Sequence, residues 1–164
     1  MSTLRFAVAG SPLSTPRPGG TVEGLKTAKR LGIDAMEIEW VQNVPRDTRR
    51  MEEIRETAGE LDIVLTVHAP YYVNLNALEK AKLAASKKRI LAALAMGELA
   101  GVRSVCVHAA FYLGMEPTKA YRNVHHAIEG ILRHKKKHFP HVNLALETMG
   151  RTTQFGSLEE VLAI

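Results

Sequence analysis

The chain has 164 residues, 46% of them hydrophobic and 24% charged, with a formal net charge of +5 and a single cysteine. This is an ordinary globular composition, long enough for one domain with a sizeable core. It excludes a disordered chain, a disulfide framework and, with no apolar run long enough to span a bilayer, a membrane helix. The cationic excess favours an anionic partner, and the lone thiol together with an amino terminus unlike a secretory leader leads us to expect a cytoplasmic protein.

Leu4 to Ala9 reads as a short first strand running into the turn-rich loop from Gly10 to Gly20, and a helix is expected from Thr21 to Leu31, stopped by Gly32. Ala35 to Glu39 is a second strand. Met51, Ile54, Ala58 and Leu61 then recur at steps of three and four, the stripe of an amphipathic helix laid against a sheet. The third strand, Ile63 to Val67, closes on His68. After the loop from His68 to Asn76 a long helix is expected to about Ala100, apolar nearly all round in its second half, with Gly101 as stop. The fourth strand, Ser104 to Val107, closes on His108, and Cys106 within it reads as a small buried core residue. Thr118 is expected to cap a helix with the stripe Tyr121, Val124, Ile128 and Ile131. That helix ends before Pro140, with Lys135, Lys136 and Lys137 on a solvated face that suits its dipole. The fifth strand, Val142 to Leu146, closes on Glu147, and Ser157-Leu-Glu-Glu160 is the capping-box signature of a fifth helix.

Strands alternating with helices predict a parallel sheet, either an open five-stranded doubly wound sheet or the first five units of an eight-fold βα barrel of about 250 residues. Length favours the open sheet. The placement of His68, His108 and Glu147 favours the barrel, because consecutive strands are neighbours there, about 4.8 Å apart, and their carboxyl ends share one face. Two imidazoles and a carboxylate that leave a position free for water are a catalytic zinc set, so the three metal-binding atoms are expected to converge on one ion. Residues 1–164 are then one partial barrel domain with its strands in the order one to five, ending at the start of the fifth helix. No phosphate-binding glycine fingerprint follows the first strand.

The stretches Val67-His-Ala-Pro-Tyr-Tyr-Val-Asn-Leu-Asn76, Val105-Cys-Val-His-Ala-Ala-Phe-Tyr-Leu-Gly114, Leu146-Glu-Thr-Met-Gly-Arg-Thr-Thr-Gln-Phe-Gly156 and Ala35-Met-Glu-Ile-Glu-Trp40 resemble the endonuclease IV family of apurinic/apyrimidinic endonucleases, above all its archaeal branch. More distantly they resemble the xylose isomerase-like barrels. The resemblance implies a (β/α)8 TIM barrel that holds up to three zinc ions and hydrolyses DNA on the 5′ side of an abasic site. It implies His68 and His108 as ligands of one zinc, and Glu147 as the carboxylate shared between that zinc and a second. It also implies Tyr71 as a loop residue presented to DNA, where an aromatic ring could fill the gap left by a flipped abasic nucleotide. Arg46 and Arg151 are the accompanying candidates for phosphate contacts, with Arg17 in a further loop on the same face. The family's remaining metal ligands come from later strands that lie beyond Ile164. The chain is therefore expected to be the amino-terminal portion of such an enzyme, to hold at most one well-liganded ion, and to show little incision alone.

Two other readings accompany this one. A sugar isomerase or epimerase of the related barrels would use one divalent ion and acid–base groups to move a proton beside a carbonyl; Tyr71, Tyr72 and Tyr112 and the basic balance suit nucleic acid better. A non-catalytic half-barrel would self-associate through exposed edge strands.

Overall fold

Five strands pair side by side in the order in which they occur along the chain, in a computed structural model that describes residues 4–164. They are β1 (Ala7–Ala9), β2 (Ala35–Glu39), β3 (Val64–His68), β4 (Ser104–Val107) and, after the short β5 (Ala110–Phe111), β6 (Asn143–Leu146). Each neighbouring pair is parallel. A doubly wound sheet would place β1 inside the sheet; here it lies at one edge and β6 at the other, as in the first five units of a barrel. The helices α1 (Thr21–Arg30), α2 (Thr48–Glu60), α3 (Lys80–Leu99) and α4 (Pro117–His138) each follow a strand, α2, α3 and α4 each pack against the helix before them, and α5 (Leu158–Ala163) follows β7 (Gln154–Phe155). No helix among the described residues is long and apolar enough to cross a membrane.

Strand periodicity sorts the side chains. Leu65 and Val67 of β3, and Val105 and Val107 of β4, are buried. Packing between sheet and helix is close enough that a Cβ on Gly97 of α3 would stand 2.9 Å from a methyl of Val102 and 3.1 Å from one of Val105. The alternate positions, Glu37, Thr66, His68, Ser104, Cys106, His108, Ala145 and Glu147, are only half-buried and share the other face. In a barrel this is the face toward the axis.

Several expectations need correcting. The first strand is confined to Ala7–Ala9, because Leu4 and Phe6 stay exposed and the register with β2 begins only at Ala7 and Ala35. The third helix begins at Lys80 rather than after Asn76. Asn74 and Asn76 are consumed by the loop, where Asn74 Oδ1 accepts from the backbone of Asn76 and Phe111. Helix α4 is capped by Glu116, not Thr118: the Glu116 carboxylate accepts from the Thr118 and Lys119 amides, and Pro117 fills the first helical position. The second half of α3 buries one face only, through Ile90, Ala93, Leu94 and Gly97. The box at Ser157 and Glu160 forms as expected.

A small antiparallel sheet was not legible in advance. Strand β5 pairs with β7, so the loop that follows β4 and the loop that follows β6 are clasped together. Phe155, fully buried, packs its ring near Tyr112 and Tyr121 beneath this clasp. A second tie comes from Asn76, buried behind the clasp, whose Nδ2 donates to the carbonyls of Phe111 and Tyr112 while its Oδ1 accepts from Asn123. Asn76→Ala should remove these bonds; the Tyr112 carbonyl keeps the Met115 amide and Asn123 is exposed to water, so the uncompensated loss falls mainly on the Phe111 carbonyl. At roughly 1–3 kcal/mol for one such group, the loss of stability should be about 2 kcal/mol, read from urea unfolding.

Candidate metal centre

His68, His108 and Glu147 arrive at the carboxyl ends of three neighbouring strands because each occupies the next inward position of its strand after Thr66, Cys106 and Ala145. Backbone bonds carry the ladders past the strand ends: the Ala69 amide donates to the Cys106 carbonyl at 2.9 Å, and the Glu147 amide to the Val107 carbonyl at 3.0 Å. The three ligand atoms all lie within 4.8 Å of one another. His68 Nε2 stands 3.0 Å and His108 Nε2 3.1 Å from the same oxygen, Glu147 Oε2.

This donor set fits a divalent cation. His68 Nδ1 lies 2.8 Å from the Ala69 carbonyl oxygen, which can only accept, so Nδ1 carries a proton and Nε2 is the ring atom turned toward the carboxylate. A ring nitrogen at hydrogen-bond distance from an anionic oxygen is reconciled with it by a second ring proton or by a cation held between them. The side chains of His68 and His108 are 12% and 19% exposed, and that of Glu147 is 41% exposed, so the centre is reachable from solvent on the carboxylate side.

Burial, the largest single influence on the Glu147 carboxyl, raises its pKa. The hydrogen bond from His68 and the charges of His108 and His68 outweigh it together, and the net result lies below the ordinary carboxylate value. Such a group contributes stability that is present above its ordinary pKa and lost as pH falls through the lowered one; its exposure keeps that contribution small.

Two neighbours were missed or misread. Cys106 does not belong to the apolar core: it sits on the inner face, in register with His68, with Sγ 3.7 Å from Glu147 Oε2. Burial, then the charges of Glu147 and Glu37, push its thiol up to about 12, so it stays protonated. Its spacing of two from His108 was the available signal, obscured by the apolar flanks Val105 and Val107. Glu37, also inward, accepts a hydrogen bond from Thr66.

Tyr71 lies over the centre. Its ring centroid is 5.1 Å from that of His68 and 5.3 Å from that of His108, and the residue is half exposed. Tyr71, Tyr72, Asn74, Leu78, Arg89 and Leu113 line an open groove of about 920 Å³ beside it. Arg151 lines a different groove, with Tyr112, Met115 and Met149, and Arg46 lines a third cleft with Pro45 and Pro70. Among the described residues, neither guanidinium makes a hydrogen bond or ion pair with the triad or Tyr71. The structure thus brings His68, His108, Glu147 and Tyr71 together and leaves Arg46 and Arg151 at the rim, while Arg17 lies exposed in the loop after β1.

Residues 25–164 match the xylose isomerase-like TIM barrel family. An uncharacterized protein of Methanocaldococcus jannaschii is 33% identical over 161 residues, which cover 98% of this chain and 57% of that protein. The chain therefore spans little more than half the length of this relative. Among solved structures, L-ribulose 3-epimerase aligns with a TM-score of 0.76 at 17% identity, over 98% of this chain and 56% of that one. D-psicose 3-epimerase with D-tagatose from Clostridium cellulolyticum gives 0.75 at 12%, over 94% and 55%. Endonuclease IV from Thermus thermophilus gives 0.66 at 21%, over 93% and 55%. Likeness at these identities is one of fold.

Proposed function

The chain belongs to the xylose isomerase-like TIM barrel family, and from that premise we propose that it carries the first metal centre of a zinc-dependent phosphodiesterase of the endonuclease IV type, acting on DNA 5′ to abasic sites. The observation that carries this reading is the convergence of His68, His108 and Glu147 beneath the half-exposed ring of Tyr71. A zinc ion held by these three would supply Lewis acidity and offset phosphate charge during hydrolysis.

The chain's own residues do the rest. The Ala69 carbonyl fixes the His68 tautomer and the orientation of its ring. Glu147 has a second carboxylate oxygen that neither histidine engages, which is free to serve a further ion. The exposed face of Tyr71 offers a stacking surface for the gap beside a flipped nucleotide, worth about 1–3 kcal/mol per base on such platforms. Arg46 and Arg151, flanking on either side, would meet phosphates of the same duplex.

One observation favours a second reading. Glu37, held by Thr66 on the inner face, offers a carboxylate for moving a proton beside the carbonyl of a ketose held at the same centre, as an isomerase or epimerase requires. What supports the nuclease over it is the tyrosine-lined groove and the rim cations, which a small neutral sugar would not use.

The test is made on the protein expressed from its full reading frame. A duplex bearing one abasic-site analogue should be incised 5′ to the lesion, with activity lost to a chelator and restored by zinc. Epimerisation of a ketohexose without incision would overturn the nuclease reading in favour of the sugar one.

A further inference from the structure

Three cations surround one cleft that the metal centre does not explain. It has a volume of about 410 Å³ and lies between the loop after β2 and one face of α3. Its walls are largely apolar, through Val44, Pro45, Pro70 and Met96, and its charged groups are Arg46, Lys88 and Arg89, with no carboxylate in the lining. Among the described residues none of the three makes an ion pair, although neighbouring cations do: Arg50 pairs with Glu53 and Lys82 with Glu79. Three cations grouped around an apolar cleft without a counter-charge make a site for an anion that brings an apolar or aromatic body with it.

The position of the cleft narrows the choice. Ala85 and Arg89 line both this cleft and the groove that holds Tyr71 and Tyr72, so the two are continuous. Arg89 donates to the Tyr72 carbonyl at 3.1 Å, and Pro70 of the cleft directly precedes the tyrosine whose ring lies over His68 and His108. Leading away from the metal centre, the surface therefore presents two exposed aromatic rings and then a cluster of cations. That sequence of groups matches a nucleic-acid strand, whose bases stack on aromatic rings and whose phosphates need cations.

We propose that Lys88 and Arg89, with Arg46, seat backbone phosphates of the DNA strand leaving the metal centre past Tyr71 and Tyr72, which extends the binding surface from the barrel rim onto helix α3. This rests on the nuclease reading and deepens it. The phosphates gain charge-assisted bonds in a partly apolar setting, and counterions are released from the strand as they bind.

The experiment measures binding of the chain to an abasic-analogue duplex, and to the lesion strand alone, across a series of salt concentrations. Lys88→Gln with Arg89→Gln should weaken binding at low salt at least tenfold. The slope of log affinity on log salt should fall by about 1.4 to 1.8, the contribution of two phosphate contacts. Lys88→Gln alone, which leaves the Tyr72 latch intact, should lower it by about half as much. Lys136→Gln with Lys137→Gln, on the exposed end of α4, should leave the slope unchanged. Equal losses in the two double variants would reduce the effect to net charge and overturn the proposal. An unchanged slope in Lys88→Gln/Arg89→Gln, while Tyr71→Ala weakens binding, would overturn the extension onto α3 and leave the nuclease reading standing. Failure of the unmodified chain to bind either DNA would overturn both. Abolition of binding by inorganic phosphate at matched ionic strength would make the cleft a free-anion site and overturn the strand assignment.

Discussion

Glu147→Gln should weaken zinc binding to the chain by about two orders of magnitude or more, beyond the 10–100-fold typical of losing a group that merely supports a metal ligand. The carboxylate is the one anion of the donor set, and both imidazole Nε2 atoms face the same oxygen of it. A neutral amide of nearly the same shape keeps the packing and removes the charge that draws the ion. Titration calorimetry measures the loss directly, and Cys106→Ser is the matched control, since Cys106 lies beside the three converging ligands without being one of them. Zinc affinity of the unmodified chain should fall as pH is lowered, because protons compete for the nitrogen and carboxylate lone pairs. In the protein expressed from its full reading frame, the same substitution should abolish abasic-site incision while most DNA affinity remains, because Tyr71, Arg46 and Arg151 are untouched. Undiminished zinc binding would remove Glu147 from the metal centre, and undiminished incision would remove its role in the reaction.

Phe155→Ala should cost about 3–5 kcal/mol of stability, the usual range for deleting a fully enclosed phenyl ring. Phe155 is completely buried, in a strand of only two residues whose pairing offers few backbone bonds. Its loss should also loosen the clasp between β5 and β7, so zinc binding should weaken although no ligand is altered. Denaturant unfolding followed by zinc titration of the folded variant separates the two effects. A variant of unchanged stability would show that the ring is not the support assigned to it here.

The strand order was legible because each strand of the barrel arc is an apolar run closed by a turn signal, and alternation with helices leaves few parallel arrangements. The triad was legible for a related reason: a polar residue at the end of an apolar run is forced to the open face. Thr118 was chosen as a cap on residue type, but Pro117 already occupies the first helical turn, which moves the cap back to Glu116. Cys106 was assigned to the core from its apolar neighbours, when its alternation with His108 fixes it on the inner face. The pairing of β5 with β7 had no local signature, since Ala110–Phe111 and Gln154–Phe155 are too short to carry a period and meet only in three dimensions. The contact of Tyr71 with both histidine rings had no sequence signal, because it depends on where the loop folds back, with its amide on the Val41 carbonyl.

The clasp has one further consequence. Gly156, at φ 137, brings the backbone of β7 so close to Glu147 that a Cβ there would stand 3.0 Å from the Glu147 carbonyl oxygen, and its own carbonyl accepts from the Met149 amide. The segments bearing His108 and Glu147 are thereby ordered by bonds and packing that involve no ion, and Asn76 adds the segment that follows His68 to the same unit. In small metal-dependent domains the ion must repay the conformational entropy of assembling its own ligands, so most of its binding free energy is spent on folding. Here that entropy is lost when the chain folds, and an ion arriving at this centre would find its ligands already assembled, which would leave its coordination free energy for affinity.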